Sequence, residues 1–139
     1  MSEECQRLLP DLTLMIRGIR RKEINHQTRK IKKSAFIPRR NGKDDDGLSA
    51  SQPANDSRNS LMRRLNNSDG SFCSFQAGSV RMTEEAGIRL DVCPFPTEVD
   101  PHHALIKGVP TSQEQVATAT RLAEKLAEIA SEYTPPFEV

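Results

Sequence analysis

Asp100, His102 and His103 form the densest group of potential ligands or proton-transfer groups in the chain. With Asp91, Cys93 or His26 they offer the nitrogen, sulfur and oxygen donors that zinc accepts. Adjacent histidines on a strand point to opposite faces, so only one of them could face a common ion. No C-x-x-C or H-x-x-x-H spacing supports a metal, and the reading is that none is held. His103 is a candidate general base, although no nucleophile is placed beside it in sequence. Asp44-Asp45-Asp46-Gly47 lacks the ligand order of a calcium loop and reads as an acidic turn answering the bases before it. No cofactor motif occurs: G-x-G-x-x-G, the P-loop and G-x-S-x-G are all missing.

The basic stretch is the second feature with chemical meaning. Residues 17–40 hold ten Lys or Arg and one acid, Glu23, for a net charge of +9. Residues 41–139 carry nine bases and fifteen acids, for a net charge of −6. Arg20, Arg21, Lys22, Arg29, Lys30, Lys32, Lys33, Arg39 and Arg40 could neutralise phosphates of RNA or DNA, with strong salt dependence. The competing reading is a solvated face that keeps an edge strand from aggregating. The stretch has no interleaved aromatics, and the whole chain has no Trp and one Tyr, which argues against a stacking platform for single strands.

The elements that must position these residues follow from periodicity. Residues 1–10 allow a short helix before Pro10. Alternation of Leu12, Leu14 and Ile16 predicts a strand that Gly18 interrupts. Ala35-Phe36-Ile37 predicts a second extended piece, limited by Pro38. Residues 40–60 read as a long polar loop. Leu61, Met62 and Leu65 suggest one helical turn, and residues 66–70 a tight turn. Residues 71–82 read as extended with a break near Gly78, and Thr83–Gly87 as a single capped helical turn. Ile88, Leu90 and Val92 alternate as a half-buried strand, and Ala104–Ile106 predicts another. From Val116 to Tyr133, apolar residues recur every three or four positions. A helix over 112–133 follows, started by a capping box at Thr111 or Ser112 and packed on the 88–92 and 104–107 strands.

The 139 residues fit one domain of α+β class: a small sheet packed by a C-terminal amphipathic helix, with a long polar loop. No run of about 18 apolar residues could span a membrane. The acidic N-terminus has no apolar leader region, and Cys5, Cys73 and Cys93 are an odd set at long spacings. Both suggest free thiols and a cytoplasmic protein.

Taken in order, Ala35-Phe36-x-Pro38, the acidic run, Leu48-Ser49, Ile88-x-Leu90-x-Val92 and His103-Ala104-x-Ile106 resemble small uncharacterised bacterial proteins. Those proteins carry an "AFxP…D…LS" segment and a later "P-x-HA-x-I" segment. The resemblance spans about two thirds of the chain. It implies a bacterial origin, and the type of protein suggests a conflict or immunity operon, but it implies little chemistry. Ala50-Ser51-Gln52-Pro53 departs from the aromatic or hydroxyl residues expected after Leu48-Ser49. Three functions follow as expectations. The first is a non-enzymatic adaptor acting through another protein. The second is a nucleic-acid accessory using residues 17–40. The third is an NAD-dependent ADP-ribosyltransferase-like enzyme with Arg17, Ser49 and Glu98 as its residues. The adaptor is preferred, because no convergent catalytic set is visible.

Overall fold

The structure is a computed structural model that describes residues 3–39 and 42–137. Helix α1 spans Glu3–Leu8, as the N-terminal pattern predicts. Strand β1 runs Leu14–Ile19, straight through Gly18 rather than stopping there. Gly18 is required by a neighbour: a Cβ at this position would lie 2.6 Å from Nδ2 of Asn67. The basic stretch that follows is folded back on itself. Asn25 Oδ1 accepts from the backbone N–H groups of Gln27 and Thr28, and Ile24 and Ile31, both buried, face each other in an isolated bridge.

The predicted extended piece at 35–37 is instead a 3₁₀ turn over Lys33–Phe36. It drives Ala35 and Phe36 into the core, and Phe36 meets Phe75 edge to face. The expected loop at 40–60 also needs correction. It contains strand β2 (Leu48–Ala50) and leads into helix α2 (Arg58–Arg64), whose N-cap Ser57 accepts from Ser60 N–H. Strand β3 (Ser71–Gln76) passes directly into helix α3 (Ala77–Arg81) rather than remaining extended.

Thr83–Gly87 is not a helical turn. Strands β4 (Glu84–Glu85) and β5 (Ile88–Arg89) pair as a hairpin over Ala86 and Gly87. Both turn residues have positive φ, +52° and +81°, the geometry that matches the twist of a two-residue hairpin. Strand β6 (Asp91–Pro94) and strand β7 (Ala104–Lys107) are antiparallel partners. Helix α4 covers Val116–Ile129, shorter than expected at both ends. A 3₁₀ turn at Gln113–Gln115 precedes it, and Ser112 makes no capping bond to the backbone. After Ala130 the chain becomes strand β8 (Ser131–Tyr133), which pairs with β3, so Tyr133 belongs to a sheet.

The class is α+β, with a C-terminal amphipathic helix and small antiparallel sheets. Of the two three-stranded sheets, one has the order β1-β3-β8 and the other β2-β7-β6, and the β4-β5 hairpin is a separate two-stranded sheet. The three-stranded sheets meet where Ile16 and Ser51 exchange backbone hydrogen bonds, both 2.8 Å. The main core lies on one side of this seam and includes Met15, Ile19, Phe36, Leu48, Phe75, Val92, Ile106, Leu122 and Leu126. A second cluster of Ile16, Leu61 and Phe72 lies under α2. The apolar stripe of α4 packs chiefly on the Lys33–Phe36 turn, with β4 and α3 beside it, not on the β6 and β7 pair. Among the described residues no helix is long and apolar enough to cross a membrane.

Candidate functional site

Two of the four residues that the sequence proposed for catalysis, Arg17 and Ser49, meet at the seam between the two three-stranded sheets. Arg17 stands on β1. Its Nε donates to the Ala35 carbonyl at 2.9 Å and its Nη1 to the Ser49 carbonyl at 2.6 Å, with the guanidinium 5.6 Å from the Phe36 ring centre. Burial lowers its pKa from the ordinary arginine value, and the nearby Cys73, Asp44 and Glu23 oppose that shift. Arg17 and Ser49 therefore touch, but through the Ser49 backbone. The Ser49 residue is exposed on β2, between buried Leu48 and Ala50.

His103 precedes β7 and continues its pairing with β6, because Phe95 N–H donates to the His103 carbonyl at 2.8 Å. Its Nδ1 lies 2.9 Å from the Phe95 carbonyl. A carbonyl only accepts, so Nδ1 carries the proton in this contact. Glu98 is exposed in the 95–103 loop and joins neither Arg17 nor Ser49 in any contact. The three residues expected for ADP-ribosyl transfer thus do not converge through their side chains.

Beside the seam stands a polar cluster that the sequence did not reveal. Arg64, the last residue of α2, is nearly buried. It donates to Asp56 Oδ2 at 2.6 Å, Asp100 Oδ1 at 2.8 Å, Ser51 Oγ at 2.6 Å and the Gln52 carbonyl at 2.8 Å. Desolvation works against its charge, but the bonds to Asp56 and Asp100 outweigh it and raise the pKa. Asp100 is buried, and its Oδ2 has no hydrogen-bond partner. Asp100 also accepts from His102 N–H, so it shapes the loop carrying both histidines. Neither histidine assembles with Asp91 or Cys93. Those two cluster with Cys5 instead.

The expectation of three free thiols is overturned. Cys5 of α1 and Cys93 of β6 form a disulfide, and only Cys73 is free. Buried Arg81 lies behind the pair. Its Nη2 donates to the Cys5 carbonyl at 3.1 Å and the Val92 carbonyl at 3.0 Å. Its Nη1 donates to the Leu9 carbonyl at 2.7 Å, and its Nε to Asp91 Oδ1 at 2.8 Å. A cleft of about 550 Å³ opens over the pair, with Glu4, Arg89, Asp91 and Lys107 in its wall. One signal was readable: Arg81 and Asp91 are each a lone charge between apolar residues, Val80 and Met82 or Leu90 and Val92.

Part of the basic stretch is engaged in ion pairs at the surface of the chain. Arg29 pairs with Glu132 at 2.6 Å, Lys33 with Glu124 at 3.7 Å and Arg39 with Asp44 at 3.0 Å. Arg20, Arg21, Lys22, Lys30 and Lys32 are exposed. Arg40 lies outside the described residues. Comparison with known proteins finds no matching family model, no matching curated protein and no matching solved structure.

Proposed function

We propose that this chain is a non-enzymatic protein-interaction module that works through another protein. One observation carries the reading. The arginines at the candidate sites, Arg17, Arg64 and Arg81, are engaged with the chain's own carbonyls and carboxylates, while large apolar side chains stay in solvent. Leu12 is 82% exposed and Met82 85%. Each adjoins α3: the turn at 10–13 packs on its start through Gly78 N–H and the Asp11 carbonyl, and Met82 follows its end. Exposed apolar side chains that form one patch are the common mark of a docking face, and the two ends of α3 would supply it. Arg17, Arg29, Lys33 and Arg39 are already engaged within the chain, which leaves Arg20, Arg21, Lys22, Lys30 and Lys32 as the exposed cations that a nucleic-acid reading would have to use. Charge reversal at Lys30, Lys32 and Lys33 is expected to leave capture of the partner unchanged. Loss of capture on nuclease treatment would return the assignment to nucleic acid.

A second reading, NAD-dependent ADP-ribosyl transfer, is favoured by one observation: Arg17 of the first strand and Ser49 of the second meet at the split between two sheets. His103, two residues from Leu105, the register partner of Ser49, would then stand as the base in place of Glu98. Incubation of the purified chain with NAD tests it, because this reading requires nicotinamide release and the interaction module predicts none.

A further inference from the structure

We infer that Cys5, Cys93 and Asp91 form a binding site for a thiophilic divalent metal, of the zinc class, when the cysteine pair is reduced. The sulfur and carboxylate ligand atoms lie within 4.8 Å of one another. A tetrahedral zinc with bonds of about 2.3 Å to sulfur and about 2.0–2.2 Å to oxygen needs donors separated by roughly 3.5–3.8 Å, inside that limit. The closeness of the two sulfurs does not depend on the bond between them. Arg81 ties the Cys5 carbonyl of α1 and the Val92 carbonyl of β6 to one guanidinium, so the two backbones stay together after reduction.

The same arginine orients the carboxylate. Asp91 Oδ1 accepts from Arg81 Nε at 2.8 Å and from Val92 N–H at 2.7 Å, the kind of outer partner that fixes a metal-binding carboxylate. The cleft supplies an entry path and an open fourth position, with the Glu4 carboxylate in its wall. Arg89 and Lys107, also in the wall, offset the negative charge that two thiolates and a carboxylate leave around a divalent ion.

The chemistry balances with a dithiol as reductant. The dithiol gives two electrons and two protons, becomes a disulfide, and leaves Cys5 and Cys93 as thiols. Metal binding then releases both thiol protons and forms two metal–sulfur bonds. A cytoplasmic setting would keep the pair in this reduced form.

The test uses the full chain, reduced with a dithiol, freed of reductant and titrated with Co(II) and then Zn(II). One Co(II) is expected per chain, with a thiolate-to-cobalt charge-transfer band that Zn(II) abolishes. Bound Zn(II) should slow air reoxidation of the pair at least tenfold. Cys5→Ser should lose the band, and Asp91→Asn, which keeps both sulfurs, should bind Zn(II) at least tenfold more weakly. Should a variant not fold, the wild-type titration still decides. A reduced, folded chain that takes up no cobalt or zinc, or a folded Cys5→Ser chain that binds either as well as wild type, would overturn the inference and leave the pair as a structural cross-link.

Discussion

Replacing Arg64 by Ala removes the one cation, among the described residues, that pairs with two enclosed carboxylates. Asp100 has a side chain only 2% exposed and Asp56 one 13% exposed, and both lose their ion pair. Asp100 is the costlier, because its Oδ2 already lacks a partner and its Oδ1 would keep only the His102 N–H. Ser51 Oγ and the Gln52 carbonyl lose their donor as well. Breaking one side of a buried ion pair costs about 3–5 kcal/mol, since it leaves an uncompensated charge in low dielectric. For 139 residues the unfolding entropy is about 0.3 kcal/mol per kelvin, so the melting temperature should fall by about 10–17 °C. Differential scanning calorimetry reads this directly. Adding Asp100→Asn to Arg64→Ala should recover part of the loss, because the orphaned charge goes with it. A loss below about 1 kcal/mol, the range of surface ion pairs, would refute the claim that this cluster holds the α2 end and the 97–103 loop to β2.

Other outcomes follow from the same structure. Burial opposes the Asp44 charge, but hydrogen bonds from the Arg39 side chain and backbone, with the charges of Arg39 and Arg17, hold its pKa below the ordinary aspartate value. A carboxyl depressed in the folded state stabilises above its unfolded pKa of about 3.9 and loses that contribution as pH falls through the folded value. Asp44→Asn should therefore be less stable than wild type at pH 6, with the gap closing in acid; a gap that stays constant down to the acid transition would contradict this. Burial pushes the Cys73 thiol up to about 12, so in the native chain it should resist a thiol reagent at neutral pH, whereas reduced Cys5 and Cys93 should label first. Mass mapping of the labelled peptides would show the reverse order if Cys73 were accessible. Gly47 has φ of +137°, and a Cβ there would lie 2.7 Å from the Ile106 carbonyl oxygen. Gly47→Ala should cost about 1–3 kcal/mol in urea unfolding, and a neutral effect would show that β2 can shift away from β7.

The elements with their own period were legible. The stripe from Ala119 to Leu126 and the apolar run at 104–106 each encode a buried face in local spacing, whereas the alternation at 12–16 marks a strand but not its buried face, since Leu12 and Leu14 are exposed and Met15 is buried. The elements set by distant partners were not. The Lys33–Phe36 turn is decided by where α4 and Phe75 sit, and β2 is three residues long, too short for alternation to show. Tyr133 continues the helical stripe in sequence, yet its partner is Phe72. The Ala86-Gly87 hairpin turn and a helix C-terminus share one composition, since both use a residue with positive φ. The site residues were hidden by range: Cys5 and Cys93 are 88 residues apart, and Arg64 reaches Asp100 across 36. Arg17 and Ser49, grouped in the sequence only as candidate site residues, are in contact through the Ser49 carbonyl.

The interaction module is tested most directly by affinity capture from a native lysate. The tagged wild-type chain is set against a Leu12→Asp, Met82→Asp double variant shown by calorimetry to keep its fold, each with and without nuclease. The account predicts a stoichiometric protein partner that survives nuclease and is lost with the double variant. Capture that vanishes with nuclease, or that persists unchanged when both apolar side chains are replaced, would contradict it.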